Sequence, residues 1–316
     1  MWPKRMSVAL LVAVPLLAQT GGGLLERIRS APLTPDERQA VAVSFSQRDF
    51  DRLETSLAGA MLSEVPPKSA ATLHALLGAL EFVGGRMLQA VQAFRQSDAL
   101  RPLDDQDRFT LAMALVDLGD IRASRTELLH LNESHPNQPI YLYWLARLDY
   151  GQRLYDDAVN KLKRVIRMDP DSVRGYDNLG LSYDMMGLTE EAQSAFAKAV
   201  ELNRNLPTPS PWPAHNLGYL QLRLLQFHEA EENLRESLRY DPKLALAHYH
   251  LARVLEKLEK NEVAIEEYKA AAALDAKLAE PLYSLGLLYR RRGLTSEAES
   301  ALAEYRRRRA LSADSP

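Results

Sequence analysis

Seven leucines recur at a nearly fixed interval and constrain what the chain can fold into. Leu77, Leu111, Leu145, Leu179, Leu217, Leu251 and Leu285 are spaced by 34 residues, except for one step of 38 between Leu179 and Leu217. The residue after each leucine is small: Gly78, Ala112, Ala146, Gly180, Gly218, Ala252 and Gly286. Thirteen residues past each leucine stands a second small column: Ala90, Ser124, Ala158, Ala192, Ala230, Ala264 and Ala298. A column of larger residues follows at Phe94, Leu128, Leu162, Phe196, Leu234, Tyr268 and Leu302. Self-similarity at such a period signals a repeat array, whose units bury their faces only by stacking on one another.

Each period divides into two helices. In residues 173–206, Tyr176, Leu179, Gly180 and Tyr183 fall at i, i+3, i+4 and i+7, which is one helix face. Gly187 ends that helix by accepting a left-handed backbone, and Thr189 opens the next, where Ala192, Phe196 and Ala199 repeat the spacing. Pro102, Pro136, Pro170 and Pro242 close the second helix at one common phase, since proline cannot continue it. The small columns let antiparallel backbones approach, and the larger column fills the space between them.

This pattern of Leu-Gly, a tyrosine three residues on (Tyr183, Tyr289), a later Ala and Phe, and a closing Pro resembles the tetratricopeptide repeat. The resemblance covers seven units, at 71–104, 105–138, 139–172, 173–206, 211–244, 245–278 and 279–312. A degenerate first repeat precedes them at 34–70, and a Pro-rich insertion lies at 207–210. The resemblance implies an all-α, right-handed superhelical solenoid of stacked antiparallel helix pairs. The departures are local: Arg204, Ala276 and Ala310 stand where the closing Pro is expected, and Glu81, Asp149 and Gln221 where the Tyr is expected.

The ends carry separate signals. Lys4 and Arg5 precede an apolar run from Met6 to Leu17, too short to span a bilayer and of the length of a signal-peptide core. Residues 1–20 are therefore expected to be a signal peptide directing export to the periplasm or outside, with an uncleaved anchor or a disordered start as alternatives. Residues 21–33 read as a flexible lead-in and 313–316 as a disordered tail. Arg308, within Arg306–Arg309, stands where earlier units place a packing residue. It reads as a polar cap on the stack, with a basic patch as the other option. The insertion around Pro207, Pro209, Pro211 and Pro213 is a longer connection, or else a contact loop carrying Trp212.

In the resembled family the first helices of successive units line a concave groove. With each unit's leucine as position 7, groove candidates include Trp144, Asn178, His215, Asn216, Tyr219 and Arg223. Tyr249, His250, Arg253, Lys257, Tyr283 and Arg291 complete the set. Asp177 shares position 5 with His215. Asn178 and Asn216 are similar to the asparagine ladder with which some family members grip a peptide backbone, or they bond a neighbouring helix instead. The Arg- and Tyr-rich stretch in the last three units suits an acidic peptide or a terminal carboxylate, or else forms a solvated rim paired with Glu256 and its neighbours. The Lys–Asn pair of chaperone-tail clamps has no counterpart here.

Chemistry is not indicated. His248 and His250 are two apart and point away from each other, and the chain has no phosphate loop, GxSxG or HExxH. Cysteine is absent, which removes thiolate metal sites, and a net charge of −3 gives no case for nucleic acid. The expectation is a non-enzymatic interaction scaffold without metal, cofactor or membrane span, holding a protein or peptide partner, acidic in one variant, in its groove. The alternative is a structural assembly factor of an envelope complex that acts through its convex face or ends.

Overall fold

The computed structural model describes residues 21–62 and 66–313. Every element among them is an α-helix. Two compact units divide the chain, residues 1–153 and 154–316. The first unit holds α1 (Gly21–Ser30), α2 (Pro35–Ser46), α3 (Phe50–Leu62), α4 (Pro67–Val83), α5 (Met87–Leu100), α6 (Asp105–Asp117), α7 (Ile121–Ser134) and α8 (Pro139–Gly151). The second holds α9 (Tyr155–Met168), α10 (Val173–Met185), α11 (Thr189–Arg204), α12 (Trp212–Arg223), α13 (Phe227–Tyr240), α14 (Ala245–Lys257), α15 (Asn261–Leu274), α16 (Glu280–Arg291) and α17 (Thr295–Ala313). Helices adjacent in sequence pack on each other within each unit, as in α4 on α5 and α10 on α11.

The repeating columns are the core. All seven leucines are buried, as are all seven residues of the second small column. A buried leucine of this kind contributes about 1.5–3 kcal/mol. The glycine column has a direct steric cause. A Cβ on Gly180 would sit 2.6 Å from the Phe196 ring, and one on Gly78 would sit 2.9 Å from Phe94. The helix pairs thus cross closely enough for a phenyl ring to rest on backbone. Each closing proline lies two residues past the end of its helix, at Pro102, Pro136, Pro170 and Pro242.

A left-handed turn joins the two helices of each pair at one common phase. Gly85, Gly119, Gly187 and Gly293 occupy it at φ between 75 and 78°. Arg153, Leu225 and Glu259 hold the same place with φ of 61 to 64°, and Arg48 does so in the degenerate pair. Non-glycine residues there carry the steric cost of a Cβ against the next carbonyl.

The polar departures from the repeat are all partnered. Glu81 is buried and ion-paired with Arg86 Nε at 2.9 Å. Burial pushes its carboxyl up to about 7, against the pull of Arg86. Asp149 meets Arg125 at 2.8 Å, and Gln221 accepts from Asn233 Nδ2 at 2.9 Å. Arg204, standing where a proline is expected, lets α11 run on and clamps Glu236 with two hydrogen bonds of 2.8 and 2.6 Å. Arg308 donates to Ala272 O at 2.8 Å, satisfying one of the last four carbonyls of α15.

The stretch at 21–33 is not a flexible lead-in. Residues 21–30 form α1, and Leu24, Ile28, Ala31 and Leu33 are all buried. Arg27 holds Asp107 through two hydrogen bonds of 2.7 and 3.0 Å across 80 residues of chain. The glycine run at Gly21–Gly23 suggested a linker, but the i, i+4 pair Leu24 and Ile28 supplies an apolar stripe that outweighs it. The degenerate repeat forms the pair α2/α3, and Thr34 opens α2 with a capping box: its Oγ1 accepts from Glu37 N while Glu37 Oε2 accepts from Thr34 N. The next helix starts at Pro67, four residues before the unit boundary read at 71. The signal peptide expected at 1–20 lies outside the described residues, as does the tail from 314. Ala313, assigned to that tail, ends α17.

Candidate interaction face of the second unit

Three consecutive first helices, α10, α12 and α14, bring their polar side chains into one network. Asn216 Nδ2 donates to Asp177 Oδ1 at 2.9 Å, from α12 to α10. Asn216 Oδ1 lies 3.2 Å from His215 Nδ1, and His215 Nε2 lies 3.0 Å from His250 Nδ1 on α14. Donors and acceptors alternate if both rings are neutral: His215 donates through Nδ1 to the amide and accepts at Nε2 from His250. Tautomers in such a chain follow from the partners rather than from visible hydrogens. Burial lowers His215 to about 4. His250 is lowered well below its usual value by burial, and further by His215 and Arg253 nearby.

Aromatic rings close over this network. Tyr219 stacks on His250 at 4.3 Å between centroids, and Trp212 meets His215 edge-on at 5.6 Å. Trp212 owes its position to the insertion, which is pinned by two 2.8 Å hydrogen bonds between the Asn203 side chain and the Ser210 backbone. The longer connection therefore also shapes the face, because it delivers a half-buried indole to the histidine pair.

Toward the C-terminal end the face becomes cationic. Arg223 is neutralised by Asp184 at 2.6 Å while lying over Tyr219. Arg253 lies over the Tyr249 ring at 5.8 Å. A cleft of about 120 Å³ opens between α14 and α16, with Arg253, Lys257 and Arg291 among its lining. Glu256 lines it as well, accepting from Tyr268 Oη at 2.9 Å and from Arg291 at 2.5 Å. Burial, and then Glu256, push the Tyr268 hydroxyl upward, so it remains a donor. Among the described residues, Arg253 and Lys257 carry no ion pair.

Nine of the twelve candidates thus meet in two adjoining groups: His215, Asn216, Tyr219, Arg223, Tyr249 and His250 in the network, and Arg253, Lys257 and Arg291 at the cleft. Three stand apart. Asn178 donates to Arg174 O in its own helix, and Tyr283 packs on Tyr305 at 5.3 Å. Trp144 is not a lining residue: it belongs to the first unit, is 0 % exposed, and has Arg147 over its ring at 4.7 Å. Both functional groups of Asn216 are occupied internally, as its partners Asp177 and His215 show. Ser284, which shares a groove-facing position with Asn216 and His250, lines the cleft, whereas sequence reasoning missed Tyr268 as a lining residue. For Tyr268 a signal existed: among seven packing-column residues it alone carries a hydroxyl.

A family model described as the tetratricopeptide repeat matches residues 109–173, 145–208 and 215–279, together more than half of the chain. The chain belongs to the tetratricopeptide-repeat family. Members of the family are in general interaction scaffolds rather than catalysts. The chain is 25 % identical over 259 residues to the protein CTR9 homolog of Arabidopsis thaliana, covering 78 % of this chain but only 23 % of that protein. It is 30 % identical over 126 residues to the uncharacterized protein ycf37 of Cyanophora paradoxa, covering 40 % of this chain and 73 % of that one. Among solved structures, a tetratricopeptide repeat protein from Parabacteroides merdae aligns with a TM-score of 0.61 at 15 % identity, over 84 % of this chain and 98 % of its own. PilW, a type IV pilus biogenesis factor, aligns with a TM-score of 0.56 at 21 % identity, over 63 % and 91 % respectively. These likenesses are of fold. Among the described residues, no helix is long and apolar enough to cross a membrane, and no three His, Asp or Glu are grouped to hold a metal ion.

Proposed function

We propose that the second unit binds a segment of another protein along the face formed by α12, α14 and α16. The observation that carries this reading is the arrangement of that face: the Tyr219 ring stacked on His250 and the Tyr249 ring tilted against it, followed by Arg253 and Lys257, which carry no ion pair among the described residues. Tyr and Arg are the residue types that dominate binding energy in interfaces. The buried polar network beneath holds the rings in one arrangement, which lowers the ordering cost of capture.

Amide hydrogen exchange of the full chain, with and without peptides selected from a random array, tests the assignment. Protection is expected in α12, α14 and α16. Protection confined to α13, α15 and α17 would overturn it and favour an assembly factor that works through its outer surface. Export is proposed on the strength of Lys4, Arg5 and the apolar run to Leu17 alone. N-terminal sequencing of the protein from its native cells tests it, and a start at Met1 in the cytoplasmic fraction would reject it.

A further inference from the structure

We propose that α1 is an internal ligand of the first unit. It covers the inner face of α4 and α6, and a partner reaches that face only by displacing α1 with an amphipathic helix of the same chemistry. The proposal is independent of the reading of the second unit. It starts from a break in the burial pattern of the repeat, at the residue two places after each unit's leucine. Arg147, Leu181, Tyr219, Arg253 and Leu287 stand there in five units, and all are half-buried. In the other two units the same place holds Ala79 on α4 and Met113 on α6, each 4 % exposed. These two helices therefore carry a cover that the other five lack.

α1 is placed to be that cover, since it packs on α4 and its Arg27 holds both carboxylate oxygens of buried Asp107 on α6. Every residue of α4 from Ala75 to Phe82 is buried, and a helix buried all round needs a neighbour on each side. α3, α5 and α6 are neighbours that a stacked repeat supplies, and α1 is the added one. Leu24 and Ile28, one turn apart, are buried, whereas Leu25, Glu26 and Arg29 are exposed. α1 thus presents one apolar stripe with a cation beside it.

The attachment is that of a ligand rather than of a core element. α1 has 10 residues and opens on three glycines. Helices shorter than about 12–15 residues are marginal alone in water, so α1 keeps its form by docking. The joint behind it is fastened separately: Arg38 Nη2 donates to Leu33 O at 2.9 Å and to Ala31 O at 3.3 Å. α1 can therefore leave without unseating α2. While docked, it lowers the apparent affinity of any competitor in proportion to the fraction of molecules left open. The competitor's chemistry follows from α1 itself: two apolar residues four apart, with an arginine or lysine just before the second to meet Asp107.

The chain has no cysteine, so a single introduced thiol reports on one place. Alkylation of Met113→Cys is followed in the full chain, alone and combined with Leu24→Asp/Ile28→Asp, which unseats α1. Arg27→Glu, a milder release, is read in parallel, and circular dichroism checks that the helices are kept. Leu287→Cys, at the corresponding place on α16, is the control. Labelling of Met113→Cys should be slow in the parent and about tenfold or more faster with α1 unseated, while the Leu287→Cys rate stays the same. A synthetic peptide of residues 21–33, added in large excess to the unseated chain, should slow the Met113→Cys rate again, and its Arg27→Glu version should not. Equal Met113→Cys rates with α1 seated and unseated would overturn the placement of α1 on this face, as would a rise shared by Leu287→Cys. Fast labelling that the peptide leaves unchanged, or that both peptides slow equally, would overturn its reading as a ligand.

Discussion

His215 and His250, 35 residues apart on successive first helices, are hydrogen-bonded ring to ring at 3.0 Å in a buried setting. Only one proton can occupy that bond, and the next partner along, Asn216, offers an oxygen that requires a proton on His215 Nδ1. Charging either ring places a cation beside the other imidazole and near Arg253.

Acid should therefore destabilise the second unit. The folded-state value of His215 is lowered to about 4, and that of His250 is lowered as well, whereas an unfolded histidine titrates near 6.5. Below 6.5 the unfolded chain binds protons that the folded chain does not, so stability present above 6.5 is lost as the pH falls toward 4. The slope is at most about 1.4 kcal/mol per pH unit for each ring. Denaturant melts between pH 4 and 8 should show a shallower dependence in His215→Gln/His250→Gln. His248 provides a contrast of opposite sign, because its contact with Glu267 raises it. Its contribution is full below 6.5 and fades as the pH rises through its folded value, so His248→Gln should cost more at pH 6 than at pH 9. Equal costs at both pH values would contradict the assignment.

The glycine column predicts a size-coupled pair. Phe94 and Phe196 of the packing column face Gly78 and Gly180, and Leu234 and Leu302 press on Gly218 and Gly286 in the same way. Gly180→Ala should destabilise by about 1–3 kcal/mol, since the new methyl would fall 2.6 Å from the Phe196 ring. Phe196→Ala removes the ring that the new methyl would meet, so in that background Gly180→Ala should cost much less. A double-mutant cycle read by chemical denaturation checks it, and strict additivity would refute the coupling.

The residues that sequence alone made legible are those whose role repeats. Leu179, Gly180, Ala192 and Phe196 meet the same neighbours in every unit, so a period of 34 exposes them without any knowledge of partners. The face is a different case. Asn178 and Asn216 occupy the same position in consecutive units, and the partners recorded for them differ: Asn178 donates to Arg174 O, and Asn216 donates to Asp177 on the preceding first helix. That choice depends on which acceptor a side chain can reach, and a column of identical letters does not encode it. Trp144 shares the position as well, but its indole is buried instead of lining a groove. Tyr268 reads as packing because its ring packs, while its hydroxyl serves the cleft.

The Arg27–Asp107 ion pair should add to the buried apolar side chains in docking α1. Asp107 is buried, and burial raises its carboxyl while Arg27 pulls it down. Arg27→Ala would leave the buried carboxylate without its charged partner, a change that typically costs several kcal/mol, here moderated because Arg27 is partly exposed. Amide exchange should then accelerate selectively in residues 21–33, with α4 and α6 keeping most of their protection. Asp107→Asn in the same background should recover part of the stability by removing the stranded charge. Unchanged exchange in 21–33 would mean that Leu24 and Ile28 suffice to hold the helix.

The turn between paired helices offers a gain. Leu225 and Glu259 sit at φ 61° where four other units place glycine, and Leu225 is 70 % exposed, so little packing is lost by truncating it. A left-handed backbone costs a residue with a Cβ about 1–2 kcal/mol, and glycine gives back about 0.5–1 kcal/mol through its greater freedom in the unfolded chain. Leu225→Gly and Glu259→Gly should each stabilise the chain by a few tenths to about 1 kcal/mol on that balance. Gly187→Leu should destabilise by a similar amount, since Gly187 has φ 76° with no neighbour crowding the site, which leaves backbone strain as the cause. Denaturant midpoints of the three variants check the prediction. A destabilised Leu225→Gly would show that the side chain contributes more through its remaining contacts than the turn loses through strain.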